Sequence, residues 1–267
     1  MGAALIVDAG AATIAAVPVL TNATAGAGST FTVRNTNLSS KVLLMDAWQK
    51  GAAVGQLRIT SPNLVPVTNG IRIQTPTGLA DFLLPGPPFQ ELIPQDNLTV
   101  QCDGTAADVY TPCLQSWYDD LPGGSPVLKM PGDIAGQTDF VFGWPVAAAA
   151  AGTAGDQAST VVTTTVDSSI ANRWYALLGY VCDVSVAAVG LKGTDTSQLF
   201  VGGPGDTEPA RTRNYFADLA VRSGKPTVPL WNAANKAATN IVVVDNAAST
   251  AVNVTMILAQ LSATYQP

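Results

Sequence analysis

The residue type whose absence most restricts the catalytic chemistry of this 267-residue chain is histidine, which does not occur in the sequence. Imidazole is the commonest general base near neutral pH and the commonest transition-metal ligand in proteins. Its absence excludes Ser-His-Asp and Cys-His nucleophilic systems and histidine-ligated zinc sites. Carboxylate mechanisms such as glycoside hydrolysis, in which two acids flank the scissile bond, remain compatible with the composition.

Two carboxylate pairs are candidates for such a mechanism: Asp119 with Asp120, and Asp81 with Glu91. Asp119 and Asp120 directly precede Leu-Pro-Gly-Gly, which is typical of a solvated turn. The sequence has no glycine-rich phosphate loop, EF-hand loop or dinucleotide-binding fingerprint. We therefore predict a protein that is not an enzyme and that has no catalytic residues, no cofactor and no metal site.

The three cysteines form no recognisable motif, since their number is odd and no CxxC pair occurs. Cys102 and Cys113 fall on the two arms of a predicted hairpin, whose register would place Cys102 closer to Val109 than to Cys113. Cys182 lies in an apolar stretch, where a buried, unreactive thiol is the usual outcome. We predict that all three thiols are reduced.

The charge pattern argues against direct nucleic-acid binding. The formal net charge is −6 and only 12% of the residues are charged, against about 25% in an average protein. Binding to phosphates needs clustered Lys and Arg. The densest basic stretch, Arg211 to Lys225, also contains Asp218. A surface made largely of Thr, Ser, Asn, Gln and Ala suits extensive contact with other subunits.

The sequence contains an internal repeat. LLMDAWQKGAAVG and LLGYVCDVSVAAVG both begin with Leu-Leu and end with Ala-Ala-Val-Gly. Two further matches follow in the same order, at a separation that only increases, as loop insertions in a second copy would produce. The matched segments are residues 43–55 and 177–190, 79–84 and 216–221, and 97–111 and 240–255.

The dominant period of the chain is two residues, with β-branched runs bounded by Gly, Pro, Asn and Asp, which predicts strands. We expect an all-β fold of two tandem jelly-roll barrels or sandwiches, each with a short helix before its last strands. The predicted helices are 206–224, with Phe216, Leu219 and Ala220 on one face, and its counterpart 75–86. The predicted division is an N-terminal arm, a first jelly roll, a linker or crossover, and a second jelly roll: 1–28, 29–120, 121–159 and 160–267.

Two jelly-roll-like halves, each with a helix before its last strands, resemble the double jelly-roll major capsid proteins of tailless icosahedral viruses, including membrane-containing bacteriophages. The resemblance covers residues 29–265 and rests on architecture and the repeat. It implies a structural protein of the virion, assembled in the host cytoplasm as a homotrimer with six similar barrels. The implied partners are neighbouring capsomers, other capsid proteins such as a vertex protein, and an internal viral membrane contacted through the N-terminal arm. The acidic balance agrees with the absence of direct nucleic-acid contact.

The five tryptophans are expected to divide between the two cores and the contacts between subunits: Trp48, Trp117, Trp144, Trp174 and Trp231. A second hypothesis is a secreted or surface two-domain β-sandwich that binds carbohydrate or a receptor. Exposed aromatics would serve it as stacking platforms, with calcium held by Asp119 and Asp120. A third hypothesis is a carboxylate-dependent glycosidase.

Overall fold

The computed structural model describes most of the chain, and all structural statements below concern those residues. They are 2–15, 21–25, 31–34, 41–51, 53, 55–64, 70–75, 90–121, 127–162, 172–206, 209–245 and 251–267. Within them the chain folds into antiparallel sheets with few helices. This confirms the all-β prediction at the level of sandwich-like sheets.

The first half of the chain forms two facing sheets. Sheet 1 has the strand order β2-β9-β6-β7, with β4 also paired to β9, and sheet 2 has the order β3-β1-β10-β5-β8. The strands of sheet 1 are β2 (Thr21–Asn22), β4 (Phe31–Thr32), β6 (Gly55–Thr60), β7 (Ile71–Thr75) and β9 (Asn97–Asp103). The strands of sheet 2 are β1 (Gly2–Thr13), β3 (Thr24–Ala25), β5 (Val42–Lys50), β8 (Gln90–Leu92) and β10 (Val109–Leu121).

The second half forms another pair of sheets. Sheet 3 has the order β13-β18-β15-β16, and sheet 4 has the order β11-β17-β14-β19-β12. The strands of sheet 3 are β13 (Gln157–Val161), β15 (Val186–Gly193), β16 (Val201–Pro204) and β18 (Thr239–Asp245). The strands of sheet 4 are β11 (Leu128–Lys129), β12 (Thr138–Ala148), β14 (Trp174–Cys182), β17 (Val228–Asn232) and β19 (Val252–Leu261).

The two halves repeat one strand order. In sheet 2 the run β1-β10-β5-β8 occupies the places that β12-β19-β14-β17 occupies in sheet 4. The interrupted second strand of the first half, β2 and β4, lies beside β9 as β13 lies beside β18. The repeated segments 43–55 and 177–190 fall on corresponding strands, and so do 97–111 and 240–255. The segment 79–84 lies outside the described residues.

Each half has its own core because the strands alternate apolar and polar residues across a two-sheet sandwich. Between sheets 1 and 2 the buried side chains include Ile6, Leu44, Leu57 and Val100. Between sheets 3 and 4 they include Leu177, Val189, Val243 and Leu258. Removing these residues from water is the main driving force for folding each half.

The structure redraws the predicted arm and linker. Residues 2–13 form β1, which pairs with β10 along most of its length, instead of an N-terminal arm. Residues 138–148 and 157–161 form β12 and β13 instead of a linker. The Ala- and Gly-rich composition of β1 arises because both of its faces are covered. A Cβ on Gly10 would lie 2.4 Å from the Thr24 carbonyl oxygen.

The helices are α1 (Pro131–Ala135), α2 (Pro209–Thr212) and α3 (Tyr215–Ser223), with a 3₁₀ helix at Ala233–Ala238. Helix α3 agrees with the helix predicted from residues 206–224. Phe216, Leu219 and Ala220 are buried, and Gly224 ends the helix with a left-handed φ of 64°. Nearly all of the predicted counterpart 75–86 lies outside the described residues. No helix in the described part is long and apolar enough to cross a membrane.

Candidate functional site: contacts of the sheet faces

The Asp119 and Asp120 pair does not form a catalytic or calcium site. Both residues lie inside β10, and not in the solvated turn that the sequence predicted. Adjacent strand residues point to opposite faces of a sheet, so the two carboxylates diverge. The Asp119 Oδ1 accepts a hydrogen bond from the Lys41 backbone N–H at 2.8 Å, which fixes it at the end of β5.

The second carboxylate pair cannot be assembled from the described residues. Glu91 lies exposed on β8, whereas Asp81 is outside the described part of the chain. Across the described ranges, no three Cys, Asp or Glu side chains are grouped closely enough to hold a metal ion.

The three cysteines are buried free thiols. The predicted hairpin is wrong, because Cys102 lies on β9 in sheet 1 and Cys113 on β10 in sheet 2. Between these two cysteines the chain passes from sheet 1 to sheet 2, so that both sheets of the first sandwich contribute strands around its core. Burial raises the pKa of Cys182 to about 12, and it also raises the pKa of Cys102 and Cys113. All three thiols are therefore neutral and unreactive near pH 7.

The outer face of sheet 2 packs on the outer face of sheet 3, and this contact joins the two sandwiches. Trp48 lies at its centre and has no exposed surface. The buried apolar side chains of the contact are Val7, Ala9, Trp48 and Cys113 from the first half, and Ala187, Ala188, Phe200, Val242 and Val244 from the second. Together with the two sandwich cores, this contact gives the chain four sheets packed in the order 1, 2, 3, 4.

Hydrogen bonds fix the register of this contact. The Trp48 Nε1–H donates to the Ala187 carbonyl oxygen at 2.8 Å. The Gln115 side-chain amide donates to the Gly202 carbonyl oxygen at 2.6 Å. At the edge of β1, the Val7 N–H donates to the Phe200 carbonyl oxygen at 3.0 Å. Each bond joins a residue of the first half to a residue of the second, so the sandwiches cannot slide without breaking buried hydrogen bonds.

Helix α3 adds a polar group to the same contact. The Tyr215 hydroxyl lies 2.8 Å from the Gln115 Oε1 and 3.3 Å from the Asp46 Oδ2, and all three residues are buried. Burial, and after it the nearby Asp46 carboxylate, raises the pKa of Tyr215 well above its ordinary value. The hydroxyl thus stays protonated and donates. The helix that closes the second sandwich also fastens it to the first.

Charged groups are also buried between the two halves. Lys50 is 3% exposed at the end of β5, and burial lowers its pKa, an effect opposed by the Asp206 carboxylate of the second half. Asp206 is fully buried and its Oδ2 accepts a hydrogen bond from the Arg211 Nη1 at 3.1 Å. The positive charge of Lys50 from the first half and the negative charge of Asp206 from the second therefore lie in one low-dielectric environment. A buried charge without an opposite charge nearby would lower the stability of the fold there.

The tryptophans are mostly structural. Trp48 joins the sandwiches, and Trp231 is stacked on Tyr175 in the second core with ring centroids 4.9 Å apart. Trp117 is buried on the outer face of sheet 2, with the Lys225 ammonium 4.7 Å from its ring centroid. Trp144 and Trp174 are partly buried against the second core. Their division between cores and contacts between subunits stays a prediction.

Sheet 4 has an outer face that the described residues leave open. On β12 the inward side chains Phe142, Trp144 and Val146 pack on the second core. The alternate residues point outward and are exposed, with Val141 at 54%. We define the β12 face as these outward residues and their neighbours on β19: Val141, Gly143, Pro145, Ala147, Thr255 and Ile257.

A shallow groove beside α3, of about 360 Å³, contains part of the basic stretch noted in the sequence. It is lined by Arg211, Tyr215, Asp218, Val221 and Arg222. Asp218 lines the same groove as Arg211 and Arg222, and Arg211 is already paired with Asp206. The groove therefore lacks the uninterrupted positive surface that a nucleic acid needs.

Comparison with known proteins gives no family. No protein-family model matches the chain, and no curated protein matches it. The protein YhaK from Escherichia coli is similar in structure at 12% identity and a TM-score of 0.23, over 98% of this chain and 87% of that chain. The PBSX exported protein XepA is similar at 12% identity and a TM-score of 0.21, over 87% of this chain and 84% of that chain. At these TM-scores neither similarity bears on fold or function.

Proposed function

We propose that this protein is a structural shell protein of a virion, whose two halves are jelly rolls that assemble into trimeric, pseudo-hexameric capsomers. The strand order supports the jelly-roll proposal. An eight-stranded jelly roll splits into two four-stranded sheets. We count β2 and β4 as one interrupted strand and leave out the short edge strands β3 and β11, which gives eight strands in each half. The first, eighth, third and sixth strands of each half then share one sheet, and the second, seventh, fourth and fifth share the other. Residues 2–121 and 127–267 would then be the two domains.

The observation that carries the assembly proposal is the packing of sheet 2 on sheet 3. These are not equivalent sheets, because sheet 2 corresponds to sheet 4 and sheet 3 corresponds to sheet 1. The two similar domains therefore meet head to tail, through different faces, and not about a twofold axis. A head-to-tail contact leaves one free face of each kind at the ends of the chain, and such contacts build closed rings or open filaments.

A closed ring of three chains would place six similar domains around one axis. Each domain would then be rotated about 60° from the next, if all contacts were alike. The low charge content, 12% of residues, favours broad contacts between neutral faces. Neighbouring capsomers and other capsid proteins are the proposed partners. A membrane contact through residues 2–13 is not part of the proposal, because these residues form β1.

The alternative is a carbohydrate- or receptor-binding protein, since jelly rolls also occur in lectins. Phe140, which is 49% exposed and lies 5.4 Å from Phe142 between ring centroids, would be its stacking platform. The separation of Asp119 and Asp120 on β10 removes the calcium site that this hypothesis used. The deep contact between sheets 2 and 3 has no role in such a function, and we favour the shell protein.

Electron microscopy of the purified protein tests this proposal. We expect class averages viewed down the axis to show a threefold particle with a nearly hexagonal outline. A monomeric particle that is retained on immobilised polysaccharide would refute the shell function and favour the alternative. Size-exclusion chromatography with light scattering on the same sample gives the matching mass.

A further inference from the structure

We propose that the β12 face is the docking surface for a second copy of this chain, which contacts it through the outer face of sheet 1. This inference rests on the proposed shell function, because it assigns the face that continues the head-to-tail contact from one chain to the next.

The repeat identifies the face. β12 holds the place beside β19 in sheet 4 that β1 holds beside β10 in sheet 2. The outward residues of β1 are covered by the second half: Leu5 and Val7 are no more than 1% exposed, and the Val7 N–H donates to the Phe200 carbonyl oxygen. At the equivalent place on β12, Val141 is 54% exposed. The same sheet face thus occurs once in each half of the chain. Within the described residues, only the copy on β1 is covered by another part of the chain.

β12 lies at the edge of sheet 4 and carries few charges. Natural edge strands are protected by charges, proline, bulges or a covering segment, and β12 has Pro145 and a register shift between Thr138 and Phe140. Along the 11 residues of β12 the only charged residue is Asp139. Its carboxylate is paired with Arg173, whose Nη1 lies 2.6 Å from the Asp139 Oδ2. The nine residues that follow are uncharged, so the edge and the face are left apolar.

Gly143 makes this face flat. An added Cβ at Gly143 would lie 3.2 Å from the Thr255 Cγ2 and 3.8 Å from the Ile257 Cδ1, on the outward side of the sheet. A glycine in the middle of a strand marks a place where another backbone approaches closely. With Pro145 and Ala147 beside it, the outward surface of β12 carries only small side chains beyond Val141. Such a surface fits another sheet better than it fits a protruding loop.

The repeat identifies the outer face of sheet 1 as the surface that would cover β12. Sheet 3 corresponds to sheet 1 in the repeat, and within the chain sheet 3 covers β1, the strand that corresponds to β12. The outer face of sheet 1 is flat, ordered and polar. The Arg58 guanidinium binds the Gln101 Oε1, and the Gln101 amide donates to the Asn22 Oδ1 at 2.8 Å. Because these side chains are already held by one another, docking would immobilise few additional groups.

The charges at the margin agree with this pairing. Arg58 and Arg72 lie on the outer face of sheet 1, and Asp183 lies at the margin of the β12 face, whereas Asp139 is already neutralised by Arg173. Complementary charges of this kind align two surfaces during association. Strands β12 and β19 present roughly 350 Å² at about 3.3 Å per residue and 4.8 Å between strands. This is less than half of the ~800 Å² per partner in a standard interface, and flanking segments must supply the rest.

The first test is Val141→Glu, with Val221→Glu on the groove side of α3 as the matched control, since Val221 is 74% exposed. Sedimentation velocity of both variants and the parent protein gives the assembly state, and near-UV circular dichroism checks the fold. We expect a trimer for the parent and for Val221→Glu, and a folded monomer for Val141→Glu. A trimeric Val141→Glu variant overturns this inference but leaves the shell function standing. A monomeric parent overturns both.

The second test fixes the partner surface. Thr99 is exposed on the outer face of sheet 1, and Val141 is exposed on the β12 face. The strands that correspond to theirs in the repeat, β18 and β1, place Val242 and Val7 in the contact between sheets 2 and 3. The three native cysteines are buried and will not compete for a short bis-maleimide linker. We expect the double variant Thr99→Cys, Val141→Cys to give a covalent trimer on denaturing gels, and neither single variant to give linked species. Linking by a single variant would indicate an isologous contact and would contradict the inference.

Discussion

Trp48 should determine whether the two sandwiches unfold together. Its ring fills the centre of the contact between sheets 2 and 3, has no exposed surface, and donates to the Ala187 carbonyl oxygen at 2.8 Å. In Trp48→Ala the lost burial and the cavity cost about 4 kcal/mol. The carbonyl left without its donor costs about 1 kcal/mol more. The total of about 5 kcal/mol is comparable with the whole stability of a small domain.

We therefore expect Trp48→Ala to lose cooperativity between the halves. The parent should unfold in one transition in urea, whereas the variant should show two, followed by near-UV circular dichroism and calorimetry. Trp48→Phe is the matched control, because it retains an aromatic ring and loses the indole N–H. It should keep a single transition and lose about 2 kcal/mol. If Trp48→Ala unfolds in one transition within about 1 kcal/mol of the parent, the contact does not couple the halves.

Three further predictions concern packing, pH and the edge strand. Gly179→Ala should lower the free energy of unfolding by about 2 kcal/mol, because its Cβ would lie 2.0 Å from the Thr212 carbonyl oxygen. Gly132→Ala has open space around its Cβ and should raise stability slightly in urea titrations; equal effects would contradict the packing argument. Because the Cys182 pKa is raised to about 12, its neutral thiol stabilises the fold fully below pH 9. That stabilisation falls by about 1.4 kcal/mol per pH unit between pH 9 and 12, and Cys182→Ala should flatten the decline measured by urea unfolding. An unchanged slope would show that the thiol ionises alike in both states. Arg173→Leu removes bonds at 2.6 Å to Asp139 and the Leu261 carbonyl, and should cost about 2 kcal/mol and speed amide exchange in β12. Unchanged exchange would mean that Arg173 does not hold the edge strand.

The sequence predicted the repeat and its helix because both are local patterns. The Leu-Leu to Ala-Ala-Val-Gly segments fall on β5 with β6 and on β14 with β15, as two copies of one strand order require. Helix α3 was predictable from its glycine stop and from one apolar face that includes Phe216. These signals depend on neighbours within about ten residues, so they survive without knowledge of the tertiary structure.

The predictions that failed depended on distant contacts. The first strand was predicted as part of an arm, although the same apolar run was also compatible with an ordinary first strand. The packing of sheet 3 on β1, which buries Val7 and Ala9 from the other half of the chain, decides between the two. Asp119 was placed in a turn by the Pro-Gly-Gly that follows, but β10 extends to Leu121. The pairing of that strand end with β1 and β5 is decided by residues about 80 to 120 positions away.

The open β12 face was not found from the sequence, although a signal for it is present. The stretch from Phe140 to Ala148 is uncharged, and it was assigned partly to a linker because of its alanines. Alternation alone does not tell which side of a strand meets solvent. Only the partner strand β19 and the packed residues Phe142 and Trp144 define an inner side, and so an outer one.

Native mass spectrometry of the purified chain tests the proposed assembly most directly. The account predicts a dominant species of about 82 kDa, three times the 27.4 kDa chain. A dominant mass of 27.4 kDa at concentrations of about 10 μM would contradict the shell function.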